Sequence, residues 1–126
     1  MIVLADDDDG TRTVLEHALT RSGYTVTALT DGQLVWPTIS AGGVELVILD
    51  LRMPGMNGWE VLRRLKDTRR YGRDVAPHLP VIVISAQSDP ETRSFAERLG
   101  ADAFMAKPID LNDLGRTVRS VLGSPP

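Results

Sequence analysis

The chain has 126 residues, 42% of them hydrophobic and 25% charged, which indicates one globular domain and excludes a largely disordered chain. Its net charge of −3 argues against nonspecific electrostatic binding to DNA or to an anionic membrane, because both need an excess of lysine and arginine. The absence of cysteine excludes disulfides, thiolate metal sites and a cysteine nucleophile.

The sequence predicts neither a membrane span nor an export signal. No apolar run approaches the roughly 20 residues that cross a bilayer. The first run, Met1–Ala5, leads directly into four aspartates and has no basic residues before it. We therefore expect a cytoplasmic protein that binds neither membranes nor nucleic acid directly.

Five short apolar runs, rich in valine and isoleucine, predict strands that are buried on both faces of a sheet. The second run is the most polar and is expected at an edge of the sheet. The runs are Met1–Ala5, Thr25–Leu29, Leu46–Leu49, Val81–Ile84 and Ala103–Ala106.

Segments with helical periodicity separate these runs. The residues expected to share a buried face are Val14, Leu15, Ala18 and Leu19 in the first helix, Val61, Leu62 and Leu65 in the third, Phe95, Ala96 and Leu99 in the fourth, and Leu111, Leu114, Val118 and Leu122 in the fifth.

Aspartates mark three of the helix starts, since this residue type is favoured at the N-cap. One of Asp8 and Asp9 is expected to cap the first helix, Asp89 the fourth and Asp110 the fifth. The second helix, within residues 33–41, contains Pro37 and should therefore be short, late-starting or kinked.

Strand and helix patterns alternate five times, which predicts an α/β fold with a doubly wound, five-stranded parallel sheet. Residues 67–79 are polar and are expected to form a loop. We expect the domain to span residues 1–122, followed by a flexible tail at 123–126.

Polar residues follow four of the predicted strands. Asp6 and Asp7 follow the first, Asp50 the third, Ser85 the fourth and Lys107 the fifth. Because the carboxyl ends of parallel strands lie at one edge of a sheet, where such folds bind ligands, these side chains should converge.

Clustered carboxylates repel each other, and a hard divalent cation such as Mg²⁺ is the usual counter-ion. Mg²⁺, a lysine and a hydroxyl around a carboxylate suit phosphoryl transfer, which depends on positioning and charge neutralisation. A carboxylate can itself be the nucleophile and become an aspartyl phosphate.

Four segments resemble the receiver domains of two-component response regulators. They are Val3–Asp8 with Arg12, Leu49–Gly58 with the pattern Asp-x-x-Met-Pro-x-x-x-Gly, Ile84–Ala86, and Lys107–Pro108. The resemblance implies a flavodoxin-like fold with strand order 2-1-3-4-5.

The resemblance also implies roles for five residues. Asp50 matches the phosphoacceptor, Asp7 a direct Mg²⁺ ligand and Asp6 a partner that binds the metal through water. Arg52 stands where the family uses a backbone carbonyl as a metal ligand. Lys107 matches the phosphate-binding lysine, whose peptide bond to the following proline is often cis in the family.

Further positions match the switching elements of the family. Ser85 matches the switch hydroxyl, and Phe104 the aromatic rotamer switch, which is often tyrosine; in isolation Phe104 could equally be a core residue. The side chains of Arg52 and Gln87 are expected to flank the phosphate and to influence how fast it is hydrolysed.

The implied function is a phosphorylation-dependent signalling switch that catalyses its own phosphotransfer and autodephosphorylation. A sensor histidine kinase or a phosphotransfer protein would donate the phosphoryl group to Asp50. A downstream effector would bind the face formed by the fourth helix, fifth strand and fifth helix. The sequence leaves homodimerisation through that face undetermined.

Two other functions compete with this interpretation. Asp7-Asp8-Asp9-Gly10-Thr11 fits the Asp-x-Asp-Gly-Thr signature of haloacid-dehalogenase-type phosphatases, with Asp7 as nucleophile and Asp9 as acid/base, but this leaves the Met-Pro turn after Asp50 unexplained. The other is a pseudo-receiver that binds partners without being phosphorylated, although such proteins lose acidic or lysine positions that are all retained here.

Overall fold

A computed structural model describes residues 1–53, 57–66 and 79–123. Within these ranges strands and helices alternate, and a 3₁₀ turn, Gly32–Leu34, precedes the second helix. The elements are β1 (Ile2–Ala5), α1 (Asp9–Arg21), β2 (Val26–Leu29), α2 (Val35–Ser40), β3 (Leu46–Asp50), α3 (Gly58–Lys66), β4 (Val81–Ser85), α4 (Pro90–Arg98), β5 (Ala103–Ala106) and α5 (Leu111–Leu122).

The five strands form one sheet in the order β2-β1-β3-β4-β5, and every neighbouring pair is parallel. This confirms the predicted fold class and strand order. The predicted strand bounds agree with the observed ones to within one residue. β2 lies at an edge, as its polar composition predicted.

The sheet is covered on both faces. One apolar layer joins the sheet to α2, α3 and α4, and the other joins it to α1 and α5. The central strands β1, β3 and β4 are buried along their whole length, whereas the edge strands β2 and β5 are half-buried. For β5, the prediction of burial on both faces was therefore wrong, because an edge strand has one neighbour only.

Three residues expected on buried helix faces are exposed. Val14 is 51% exposed, Phe95 46% and Leu111 45%. In α1 only Leu15 and Leu19 of the four residues expected on the buried face are fully buried. Periodicity identifies an apolar side of a helix, but the width of the buried stripe depends on how much sheet lies beneath it.

The predicted N-caps are confirmed. Asp8 caps α1 by accepting a hydrogen bond from the Thr11 amide, and Asp89 and Asp110 cap α4 and α5 in the same way. α2 is short and starts late, as predicted. Pro37 lies in its first turn, where the missing N–H removes no intrahelical bond.

The loop predicted at 67–79 lies almost entirely outside the described residues, as do residues 124–126 of the predicted tail. Within the described ranges, no helix combines the length and hydropathy that a membrane span requires.

Candidate functional site

The carboxyl ends of the central strands bring the predicted polar residues to one edge of the sheet. Asp50, the last residue of β3, pairs with Ile84 of β4, and Ser85 pairs with Ala106 of β5. Asp6 and Lys107 directly follow β1 and β5. The expectation that these residues converge is therefore confirmed.

Three carboxylates meet at this edge. Asp6, Asp7 and Asp50 each offer one carboxylate oxygen, and these oxygens lie within 4.8 Å of one another. Asp6 is fully buried, Asp50 is 4% exposed, and Asp7 faces solvent. Two buried carboxylates this close repel each other, so the site needs positive charge.

Lys107 supplies part of that charge. Its Nζ lies 2.9 Å from Asp6 Oδ2 and 3.1 Å from Asp50 Oδ2, so one ammonium bridges both buried carboxylates. Burial by itself lowers the pKa of Lys107, but the two carboxylates outweigh this effect and the pKa is raised. Lys107 is thus a cation at neutral pH.

A backbone hydrogen bond holds Lys107 against the neighbouring strand. Its amide donates a 2.8 Å hydrogen bond to the carbonyl of Ser85, which ties the end of β5 to the end of β4. The Lys107–Pro108 peptide is cis, as the resemblance implied.

The two oxygens of Asp50 have different partners. Oδ1 accepts a 3.1 Å hydrogen bond from the Arg52 amide, and Oδ2 accepts one from Lys107. Burial raises the pKa of Asp50 to about 6, and the Asp6 carboxylate also raises it, against the opposing effects of the Arg52 amide and Lys107.

Asp6 retains coordinating capacity toward the site. Its Oδ1 accepts the Asp8 amide at 2.9 Å, and its backbone carbonyl accepts a hydrogen bond from Arg12. Its Oδ2 is buried, and no hydrogen bond from a described residue reaches it, since the contact with Lys107 is an ion pair without hydrogen-bond geometry.

These donors fit a magnesium ion. All three side chains offer hard carboxylate oxygens, one buried oxygen lacks a hydrogen bond, and the exposed side at Asp7 leaves room for the water ligands that Mg²⁺ usually retains. Asp6, Asp7 and Asp50 are therefore the residues that could hold the metal.

The residues predicted to take part in switching lie at the end of β4, on β5 and just after β3. Ser85 is 2% exposed, and its Oγ accepts a 3.0 Å hydrogen bond from the Gln87 amide. Phe104 is half-buried on β5, and the Arg93 guanidinium lies 5.0 Å from the centre of its ring. The Arg52 side chain is exposed.

Gly58 has a steric role that its place in the motif does not explain by itself. A Cβ atom at this position would lie 2.3 Å from the Asp50 carbonyl oxygen and 2.4 Å from the Leu51 Cα. The Gly58 amide also donates to the Leu51 carbonyl at 3.1 Å. Only glycine lets α3 begin directly against the end of β3, and this close contact fixes the backbone beside the phosphoacceptor candidate.

Comparison with known families agrees with this geometry. A sequence model described as the response regulator receiver domain matches residues 2–119. The chain belongs to this family. The motif resemblance is thereby confirmed.

Curated relatives of this receiver domain include longer regulators. It is 39% identical over 124 residues to the DNA-binding transcriptional regulator NtrC of Rhizobium meliloti, a match that covers 98% of this chain and 24% of NtrC. It is 35% identical over 108 residues to the sensory/regulatory protein RpfC of Xanthomonas campestris, covering 86% of this chain and 14% of RpfC. The chain thus spans about a quarter of the length of NtrC and a smaller share of RpfC.

Solved receiver domains share the fold. The receiver domain of NtrX from Brucella abortus matches with a TM-score of 0.85 at 27% identity, covering 97% of this chain and 98% of the other. The receiver domain of the sensor histidine kinase PA1611 from Pseudomonas aeruginosa matches with a TM-score of 0.83 at 26% identity, covering 98% and 97%. That protein was solved with a magnesium ion coordinated in its active-site cleft.

Magnesium is expected to raise the melting temperature of this receiver domain, since an ion that binds only the folded site stabilises it. At ten times its Kd, Mg²⁺ should add about 1.4 kcal/mol, which corresponds to roughly 5 °C for a domain of this size. Differential scanning calorimetry at pH 8 measures the shift, with sodium chloride of equal ionic strength as the control. Equal melting curves with the two salts would contradict the metal site.

The pKa of Asp50 predicts a pH-dependent stability in the absence of metal. Folded Asp50 keeps its proton up to about pH 6, whereas the ordinary value is 3.8, so its contribution to stability is lost as pH rises between these values. Asparagine at position 50 does not titrate. The melting temperature of Asp50→Asn minus that of the wild type should therefore increase by about 5 °C from pH 4 to pH 7 in EDTA. A difference between the two proteins that does not change with pH would contradict the raised pKa.

Proposed function

We propose that this receiver domain accepts a phosphoryl group on Asp50 and acts as a phosphorylation-dependent switch. One observation carries the proposal. A single lysine bridges two buried carboxylates, Asp6 and Asp50, beside the third carboxylate of Asp7. The positive charge that binds an incoming phosphoryl group therefore already lies against the nucleophile candidate.

The reaction exchanges one bond to phosphorus for another. A carboxylate oxygen of Asp50 attacks the phosphorus of a phosphohistidine, the P–N bond breaks with its electron pair returning to the imidazole, and a P–O bond forms. Lys107 holds a phosphoryl oxygen by charge, and the Arg52 amide keeps the Asp50 carboxylate oriented. Asp7, Asp50 and the Arg52 carbonyl would hold Mg²⁺ directly and Asp6 would hold it through water, and the bound ion would supply further neutralisation of phosphoryl charge.

Hydrolysis of the acyl phosphate then resets the switch. Water attacks the phosphorus, the P–O bond to Asp50 breaks, and inorganic phosphate leaves. The Arg52 and Gln87 side chains flank this path and set its rate by controlling the access of water.

Switching follows from the added charge. The acyl phosphate on Asp50 carries nearly two negative charges where the carboxylate carried one, and it brings new hydrogen-bond acceptors. The Ser85 hydroxyl, which now accepts from the Gln87 amide, turns to donate to the phosphoryl group, and Phe104 moves into the space that is vacated. The outcome is a shift between two populations that differ on the face of α4, β5 and α5.

The partners follow from this chemistry. A sensor histidine kinase or a phosphotransfer protein supplies the phosphohistidine, and an effector reads the α4-β5-α5 face. NtrC is named as a DNA-binding regulator, and we propose that an effector of that kind uses the present domain as its input. We propose that the domain acts in the cytoplasm without binding nucleic acid or membrane directly.

The phosphatase alternative is less favoured by the arrangement of charges. It requires Asp7 as the nucleophile, but Asp7 is exposed and Lys107 contacts Asp6 and Asp50 instead. The pseudo-receiver alternative is disfavoured because the acidic residues and the lysine are present and converge at one edge.

Phosphoryl uptake tests the proposal directly. Acetyl phosphate with Mg²⁺ should add one phosphoryl group, detected by intact-protein mass spectrometry, and the product should decay over time. The same mixture with EDTA should leave the protein unmodified. Equal uptake with and without metal, or no uptake in either, would overturn the proposed reaction.

A further inference from the structure

Helix α4 has few apolar anchors. Ala96 is its one buried residue, and its largest apolar side chain, Phe95, is exposed. Other contacts must therefore contribute to the position of this helix against the sheet. Ring contacts connect α4 to α3 and to β5. The ring centroids of Phe95 and Trp59 of α3 lie 5.1 Å apart, and the Arg93 guanidinium carbon lies 5.0 Å from the ring centroid of Phe104 of β5.

The contact between Arg93 and Phe104 involves the aromatic position of the switch. Arg93 is exposed, and Phe104 is half-buried. Both line an open surface groove of about 340 Å³ together with Pro108 and Arg116. In the present conformation the ring therefore borders solvent, and the guanidinium lies over it.

Arg93 has acidic neighbours that it does not use. Asp89, the N-cap of α4, lies one turn before Arg93, and Glu97 lies one turn after it. Yet none of the ion pairs between described residues includes Arg93. A guanidinium over an aromatic ring is attracted by the negative face of the ring. Phe104 has no hydroxyl with which to form a hydrogen bond, so the ring face is the feature that Arg93 can recognise.

We propose that Arg93 is a positioning residue whose guanidinium holds the Phe104 ring at the surface groove and thereby favours the unphosphorylated conformation. This inference rests on the proposed function, because it takes Phe104 as the residue that moves inward on phosphorylation. Inward movement breaks the contact, so the contact stabilises one state only. A contact present in one of two states shifts the balance between them and lowers the apparent affinity for any ligand that selects the other.

Beryllofluoride binding measures this balance. The ion mimics a phosphoryl group on the carboxylate, and fluorine NMR reports its bound fraction at saturating Mg²⁺. Arg93→Gln removes the charge from an exposed site and should bind beryllofluoride about 2–5-fold more tightly than the wild type, the effect expected for an exposed cation–π contact. Arg93→Lys keeps a cation without the planar group and should fall between the two.

Two controls separate the ring contact from a general effect of charge. Arg98 lies 5.5 Å from the Phe95 ring, and both residues belong to α4, so their contact moves with the helix and Arg98→Gln should leave the affinity unchanged. In a Phe104→Leu background there is no ring to hold, and Arg93→Gln should then have no effect.

The outcomes distinguish this inference from the proposed function. If the wild type does not bind beryllofluoride, the proposed function fails. If the wild type binds but Arg93→Gln binds with equal or lower affinity, the inference about Arg93 is overturned while the switch stands. The inference is also overturned if Arg98→Gln reproduces the gain, if the gain persists in the Phe104→Leu background, or if it appears only at higher protein concentration, where self-association would explain it.

Discussion

Asp50→Asn is expected to take up no phosphoryl group from acetyl phosphate under conditions in which the wild type is modified. Asparagine keeps the size of the side chain and can still accept the Arg52 amide bond, but its amide is not a nucleophile. The loss should be complete at the sensitivity of intact-protein mass spectrometry. It should not arise from unfolding, because the substitution removes one of two buried like charges.

Glu45→Gln is the matched control for this experiment. Glu45 is an exposed carboxylate just before β3, at the opposite edge of the sheet from Asp50, and it pairs with the amino terminus. Phosphoryl uptake in this variant should equal that of the wild type. Uptake by Asp50→Asn at the wild-type rate would exclude Asp50 as the acceptor.

Gly58→Ala, which adds one methyl group beside the site, is expected to destabilise the fold strongly. The new Cβ would meet backbone atoms of Asp50 and Leu51 at 2.3 and 2.4 Å, and backbone cannot move aside as a flexible side chain can. We expect a loss of about 3 kcal/mol in the free energy of unfolding and a fall of about 10 °C in the melting temperature. Urea unfolding followed by circular dichroism measures both.

Gly115→Ala provides a control with the opposite sign. Gly115 lies inside α5, and the nearest atom to an added Cβ is the flexible end of Arg119 at 3.3 Å. Alanine is favoured over glycine in a helix interior by up to about 1 kcal/mol, so this variant should be equal to the wild type or more stable. If Gly58→Ala were as stable as the wild type, α3 would not begin as close to Asp50 as described.

The convergence of the site could be predicted because parallel strands impose it. Asp6, Asp50, Ser85 and Lys107 each sit at a carboxyl end of a strand, and the topology requires these ends to share an edge. The strand bounds were also predictable, since continuous apolar runs distinguish buried parallel strands. The roles of the individual residues at this edge of the sheet were predicted from the family resemblance and not from the pattern of strands and helices.

Contacts that depend on the relative placement of whole elements could not be predicted. The bridge from Lys107 to Asp6, in addition to Asp50, requires the distance between β1 and β5 across the sheet. The exposure of Val14 and Leu111 depends on the width of the interface under each helix, which periodicity does not contain. The contact between Arg93 and Phe104 requires the docking angle of α4, and no local signal in the sequence encodes that angle.

The most direct test of the account is to locate the acyl phosphate. After reaction with acetyl phosphate and Mg²⁺, borohydride reduces the modified aspartate to homoserine, and tryptic residues 1–12 and 22–52 place Asp7 and Asp50 on separate peptides. We expect homoserine at position 50 and unmodified aspartate at position 7. Homoserine at position 7, as the phosphatase alternative requires, would contradict this expectation.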